Sequence, residues 1–212
     1  MWIQQREKDV ADYFDTHSVR KLHLGAGKNR LDGWLNTDLD PDMVYLDVSK
    51  TFLFPDGSMD CIFGEHLIEH VPFDIGRNML AECRRVLKPG GRIRITTPDL
   101  KVLADLLAAS PGSTGQQYVE WICRRFLPEI EQINPCFVIN NAFRCWGHQF
   151  LYDWPTLQNA AVEAGFTEIV RCQLDHTDQE FFRNVDSHGE FVNRPDLVAF
   201  ETMVMEAARP QD

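Results

Sequence analysis

Residues Lys21 to Asp40 read KLHLGAGKNRLDGWLNTDLD. Leu22 and Leu24 lead into Gly25-Ala26-Gly27, and a second apolar run, Trp34 to Thr37, closes on Asp38. Glycines at the end of a strand let the backbone turn sharply and come close to a ligand, a device shared by several ligand classes. Spacing separates those classes. A dinucleotide fingerprint needs a third glycine, at the position that Arg30 holds, and an acidic residue about 20 positions further on. Asp38 follows Gly25 by only thirteen residues, so the connection is a turn or a single helical turn in KNRLDG. The Gly-Lys-Ser/Thr of a phosphate loop is missing too.

Outward from this stretch the chain alternates strand and helix. Trp2 to Phe14 reads as a helix. Strands are expected at Lys21–Leu24, Trp34–Thr37, Val44–Leu46 and Cys61–Phe63, the last after the turn Pro55-Asp56-Gly57-Ser58. Ile75, Met79, Cys83 and Val86 recur at helical spacing, which predicts a helix over Pro72–Leu87 stopped by Pro89-Gly90-Gly91. RIRITTP supplies a fifth strand, and Asp99 is placed to cap a helix to Ala108. From Ser110 to Gly147 the alternation breaks into a helix at Gln117–Phe126 and a loop-like QINPCFVINNAFRCWGH. DWPTLQNAAVEAGF has helix start and stop signals, Glu168–Cys172 is a sixth strand, and Gln173–Asp196 is polar and irregular. The final LVAFETMVMEAA suits either a helix or a strand. Such alternation implies an α/β fold, an open and mainly parallel sheet covered on both faces.

A chain of 212 residues suits one domain, here 1–212, with residues 1–20 as an N-terminal helical cap and 110–150 as a substrate-covering insert. The net charge of −11 opposes phosphate backbones, so no nucleic-acid partner is expected. Arg84, Arg85, Lys88, Arg92 and Arg94 are assigned to the solvated side of a helix and strand. Six cysteines without a CxxC pair fit a reduced, cytoplasmic protein. MWIQQREKDVADYFDTH lacks an apolar signal core, and no run approaches the ~20 apolar residues of a membrane span. An apolar face of the first helix or of the insert would suit a homodimer contact.

In a doubly wound sheet, ligands lie at the carboxyl ends of the strands where strand order reverses. The ligand that fits the short glycine turn offers a diol to a carboxylate and needs no pyrophosphate cradle. S-adenosylmethionine meets that description, and Asp38 is suited to its two ribose hydroxyls. LHLGAG, NTDL, YLDV, FPDGSMDCIFGEHLIEHV and AECRRVLKPGGRIRITTPD together resemble the successive motifs of class I S-adenosylmethionine-dependent methyltransferases. GHQFLYDWPTLQNAAVEAGF is similar to a bacterial subgroup of small methyltransferases. The resemblance implies a Rossmann-like methyltransferase fold, with a seven-stranded sheet whose last strand is antiparallel. It implies that Gly25, Ala26 and Gly27 meet the methionine portion of the cofactor, that Asp38 and Leu39 meet the ribose side, and that Asp47 and Val48 flank the adenine. Glu65 and His66 would face the methyl end. Lys21 before Leu22, and His23, depart from the usual pattern of that first strand.

GEHLIEH also brings Glu65, His66, Glu69 and His70 together. Its order differs from HExxH, since Glu69 adjoins the second histidine, and no metal is expected. His148, Tyr152 and Glu65 are the candidate catalytic bases, with Asp99 behind them; histidine titrates unperturbed near neutrality. Trp121, Phe126, Phe137, Phe143 and Trp146 are candidates to line an acceptor pocket. The expected activity is methyl transfer to oxygen, nitrogen or carbon of a small-molecule or saccharide-like acceptor. The alternative is a non-catalytic scaffold that keeps the fold. Aminopropyl transfer would need an acidic polyamine site, and no distinct acidic cluster stands out; a dehydrogenase fails the fingerprint test.

Overall fold

The computed structural model describes residues 2–40 and 42–211. It holds one seven-stranded sheet in the order β3-β2-β1-β4-β5-β7-β6. Helix α1 (Trp2–Thr16) precedes β1 (Lys21–Leu24), β2 (Leu35–Asp38), β3 (Val44–Tyr45) and β4 (Met59–Glu65). α2 (Phe73–Val86) leads to β5 (Leu87–Pro98), and α3 (Leu100–Asp105), α4 (Thr114–Phe126), α5 (Pro135–Arg144) and α6 (Trp154–Glu163) follow. β6 (Thr167–Cys172), the short α7 (His188–Phe191), α8 (Pro195–Glu201) and β7 (Thr202–Ala208) complete the chain. Strands β1 to β5 pair in parallel, and β7 runs antiparallel to both of its neighbours. This is the Rossmann-like sheet that the sequence motifs imply.

Two local readings are corrected. The loop-like stretch contains α5, which Asn134 caps by accepting from the Cys136 N–H at 2.9 Å, with Pro135 in the first turn. The last apolar run divides into α8 and β7, because Glu201 and Thr202 mark the change from helical to extended backbone. Helix α2 keeps its expected bounds to within a residue, ending at Val86 because Leu87 is already extended and pairs with Met59.

Leu22, Leu24, Ile62, Ile93, Ile95, Met205 and Ala207 point to one face of the sheet, where they pack against Tyr13 of α1, Met79 and Leu80 of α2 and Leu157 of α6. The opposite face carries a row that crosses five strands in register: Asn36, His23, Phe63, Arg94 and Glu206. Among the described residues no helix joins β1 to β2. Asn36 shapes that connection instead, accepting from the Leu31 N–H at 2.9 Å and donating to the carbonyls of Leu31 and Trp34 at 3.0 and 3.1 Å. Trp34 then packs with Phe63, Phe182 and Val185, so the late polar segment covers the sheet where a first crossover helix would lie. Arg94, assigned from the sequence to a solvated side, is wholly buried and ion-paired to Asp186 and Glu206.

Candidate active site

A cavity of about 500 Å³ opens at the carboxyl ends of β1, β4 and β5, where the strand order turns from β1-β2-β3 to β4-β5. Its size is ordinary for a small-molecule site. Gly25, Ala26 and Gly27 form one wall, and Glu65 and His66 stand beside them at the end of β4. Trp121, Phe126 and Trp146 from the helical region 110–150 form the far wall. Phe137 and Phe143 are exposed and lie outside it.

Both glycines of the turn have left-handed backbone, φ +60° at Gly25 and +51° at Gly27. They are required for different reasons. A Cβ on Gly25 would meet the Leu67 side chain at 2.7 Å, whereas a Cβ on Gly27 would meet nothing nearer than the Gly25 carbonyl oxygen at 4.0 Å. Gly27 is thus the place where a ligand can touch backbone directly. Asp38 fixes the turn by accepting from the Gly27 N–H at 2.9 Å, and its other oxygen accepts from the Asp40 N–H at 3.1 Å. Each carboxylate oxygen retains a second lone pair. Asp38 ends β2 and Leu39 follows it, both outside the lining residues, and Leu39 is exposed. Asp47 forms an Asx turn with the Ser49 N–H at 2.9 Å, which lowers its pKa, and Val48 packs against the core; neither lines the cavity.

Glu65 is fully engaged. It accepts from the backbone N–H groups of Ser187 and His188 at 2.8 and 3.0 Å, and from Asn29 Nδ2 at 3.1 Å. It therefore pins the segment around α7 over the glycine turn and is not a free base. Asp99 caps α3 through the Lys101 N–H at 2.8 Å and is ion-paired with Arg171 at 2.5 Å, so it too is committed to structure. Tyr152 is wholly buried and outside the cavity, and burial pushes its phenol up to about 12. Its hydroxyl has no partner among the described residues and faces Gly76. Tyr152→Phe is expected to raise the unfolding free energy by about 1 kcal/mol, since it removes an unsatisfied buried group. Gly76→Ala should cost about 1–3 kcal/mol by overpacking against that oxygen, and less in the Tyr152→Phe background. Thermal melts of the two single variants and the double variant check both.

The remaining lining is rich in histidine. His66 has left-handed backbone, φ +46°, and its ring stacks on His188 with centroids 4.4 Å apart. Burial works against a charged His66, but Glu69, Glu201 and Glu65 outweigh it and raise its pKa. Burial, reinforced by His66, lowers His188 to about 4. His148 lines the cavity beside His70, ring centroids 5.0 Å apart, and burial lowers its pKa. Glu69, His188 and Glu201 belong to the site although the sequence reading assigned them no role; only the density of Glu and His in GEHLIEH hinted at the first.

Residues 22–95 match a family described as a methyltransferase domain. A highly reducing polyketide synthase from Aspergillus sclerotiorum is 31% identical over 104 residues, 47% of this chain and 4% of that protein. Among solved structures, an S-adenosylmethionine-dependent methyltransferase from Mesorhizobium loti superposes with a TM-score of 0.53 at 17% identity, covering 90% of this chain and 91% of that one. One from Archaeoglobus fulgidus gives 0.51 at 15%, covering 97% and 92%. Phosphoethanolamine N-methyltransferase 2 of Haemonchus contortus, in complex with S-adenosyl-L-methionine, gives 0.50 at 15% over 98% of this chain, which spans 53% of that one. At such identities the structural likeness is one of fold.

Proposed function

We propose that this chain is a class I S-adenosylmethionine-dependent methyltransferase that binds its cofactor at the glycine turn and methylates a small molecule held against Trp121, Phe126 and Trp146. The observation that carries the reading is Gly27, a left-handed glycine at the switch point of the sheet whose missing Cβ would meet nothing nearer than 4.0 Å. Asp38, already aligned by the Gly27 N–H, is the residue for the ribose hydroxyls. Gly25 and Ala26 take the methionine portion with it. The bound sulfonium supplies an activated methyl group, so the protein's task is to place the acceptor within about 3–3.5 Å in line with it. The stacked rings of His66 and His188 line the same cavity as Trp121, Phe126 and Trp146, which offer the acceptor an apolar surface.

Calorimetric titration of S-adenosylmethionine and S-adenosylhomocysteine tests the reading, with NAD as the control. Wild type is expected to bind both and to ignore NAD. Gly27→Ala should weaken binding at least about tenfold, or ~1.4 kcal/mol, by placing a Cβ in that position. Asp38→Ala should do the same by releasing both the turn and the diol. Failure of the wild type to bind would favour a scaffold that keeps the fold without the chemistry.

A further inference from the structure

We propose that Glu69, His70 and His148 hold a divalent metal ion of the zinc, cobalt or manganese class on the acceptor side of the cavity. One ligand atom from each lies within 4.8 Å of those of the other two. Bonds of about 2.0–2.1 Å in a tetrahedral shell bring such atoms somewhat closer, a change within reach of side-chain rotation. Glu69 is wholly buried, yet only one of its oxygens is used: Oε2 accepts from the Thr97 hydroxyl at 3.0 Å, and Oε1 has no hydrogen bond among the described residues. His66 Nδ1 stands 3.2 Å from Oε1, near enough for attraction, but its N–H is not aligned on that oxygen. That oxygen is thus opposed only by the nearby His66 charge and keeps its lone pairs unshared in a buried site, an arrangement that a bound cation would satisfy.

His148 is prepared in the way metal-ligating histidines are. Its Nδ1 lies 2.7 Å from the Ala142 carbonyl, which can only accept, so Nδ1 carries the proton and Nε2 the lone pair. The two ligand-bearing segments are also tied together. The Glu69 carbonyl accepts from the Gln149 and Phe150 N–H groups at 2.7 and 3.2 Å, and the Gln149 side chain donates to the His70 carbonyl at 2.7 Å. That staple holds His148 opposite His70 without any help from a ligand.

Two imidazoles and one carboxylate suit borderline divalent ions and leave coordination positions open. Those positions face the cavity, where an acceptor's hydroxyl or carboxylate oxygen would complete the shell; this last clause rests on the methyltransferase reading, whereas the metal site itself does not. Comparison of GEHLIEH with HExxH could not find the site, because the third ligand is 78 residues beyond His70.

The test is titration of tag-free, chelator-treated full-length protein with Co²⁺, followed by visible absorption, with no nucleoside present. One Co²⁺ per chain is expected, weakened at least about 100-fold in His148→Ala and in His70→Ala. In wild type, Zn²⁺ should move the imidazole nitrogen resonances of His70 and His148 and leave those of His17 and His176 in place. That second readout stands whether or not the variants fold. Absence of Co²⁺ binding, undiminished binding in both variants, or unmoved His70 and His148 resonances would overturn the proposal. Because cofactor titration is run separately, loss of S-adenosylmethionine binding and loss of metal binding are told apart.

Discussion

Arg94→Ala is expected to lower the unfolding free energy by about 3–5 kcal/mol, the usual consequence of leaving buried charges without their partner. Arg94 sits in the middle of β5 with no exposed surface. Its guanidinium donates to Asp186 through Nε at 3.0 Å and through Nη2, and to Glu206 of the neighbouring β7 through Nη1 at 2.5 Å. It also reaches the Gln173 carbonyl at 3.3 Å. Alanine would strand two carboxylates in a site that admits little water. Lysine would not replace it, because a single ammonium cannot fork to two carboxylates. The triple variant Arg94→Met, Asp186→Leu and Glu206→Leu should recover most of the loss, since an apolar trio carries no desolvation cost. Urea denaturation at neutral pH measures both. A loss under about 1 kcal/mol for Arg94→Ala would show that the pairing does not hold the fold.

The same guanidinium matters for the site. Residues 173–186 have almost no apolar periodicity with which to dock, and what anchors them is Arg94 together with Phe182 and Val185. Directly after Asp186, Ser187 and His188 give their N–H groups to Glu65 above the glycine turn. Loosening Arg94 therefore loosens one wall of the cavity as well as the sheet. Limited proteolysis within 173–192 should quicken in the variant in proportion to its lost stability.

How much of this was legible depends on range. Strand and helix positions came through because they rest on local periodicity, and β1, α2 and α6 lie within a residue or two of their expected bounds. The start of α5 was also written locally, in Asn134-Pro135, and was overlooked among aromatic and polar neighbours. Arg94 could not be placed, because its carboxylates are 92 and 112 residues away in sequence. An arginine in an alternating strand reads as a solvent-facing residue until the covering segment is known. The glycine motif marked one wall of the cavity; the surroundings of Tyr152 and Glu65 were not legible, since a side chain's neighbours, not its type, decide whether it is free to react. Tyr152 points into the core, and Glu65 is spent on backbone donors.

Acid should destabilise the protein well above the pH at which its carboxylates are neutralised, and His23 is one reason, beside His188. His23 lies in the same cross-sheet row as Arg94, 1% exposed, with rings of Phe63 and Trp34 around it. Burial lowers its pKa to about 4, with the Asn36 side chain, 3.1 Å from Nδ1, and the Asp38 charge only partly opposing the shift. The unfolded chain takes up this proton near pH 6.5, while the folded chain refuses it until about 4. A depressed histidine thus contributes stability that is present above pH 6.5 and is lost as pH falls through the folded pKa. About 2.5 units at 1.36 kcal/mol each amount to roughly 3 kcal/mol lost between pH 6.5 and 4. His23→Phe fits the aromatic surroundings and cannot titrate, so urea midpoints measured at pH 7 and pH 4.5 should differ less in this variant than in wild type. Equal slopes in the two proteins would mean that the acid sensitivity lies elsewhere, and that the imidazole sits in the row for its shape rather than for its neutrality.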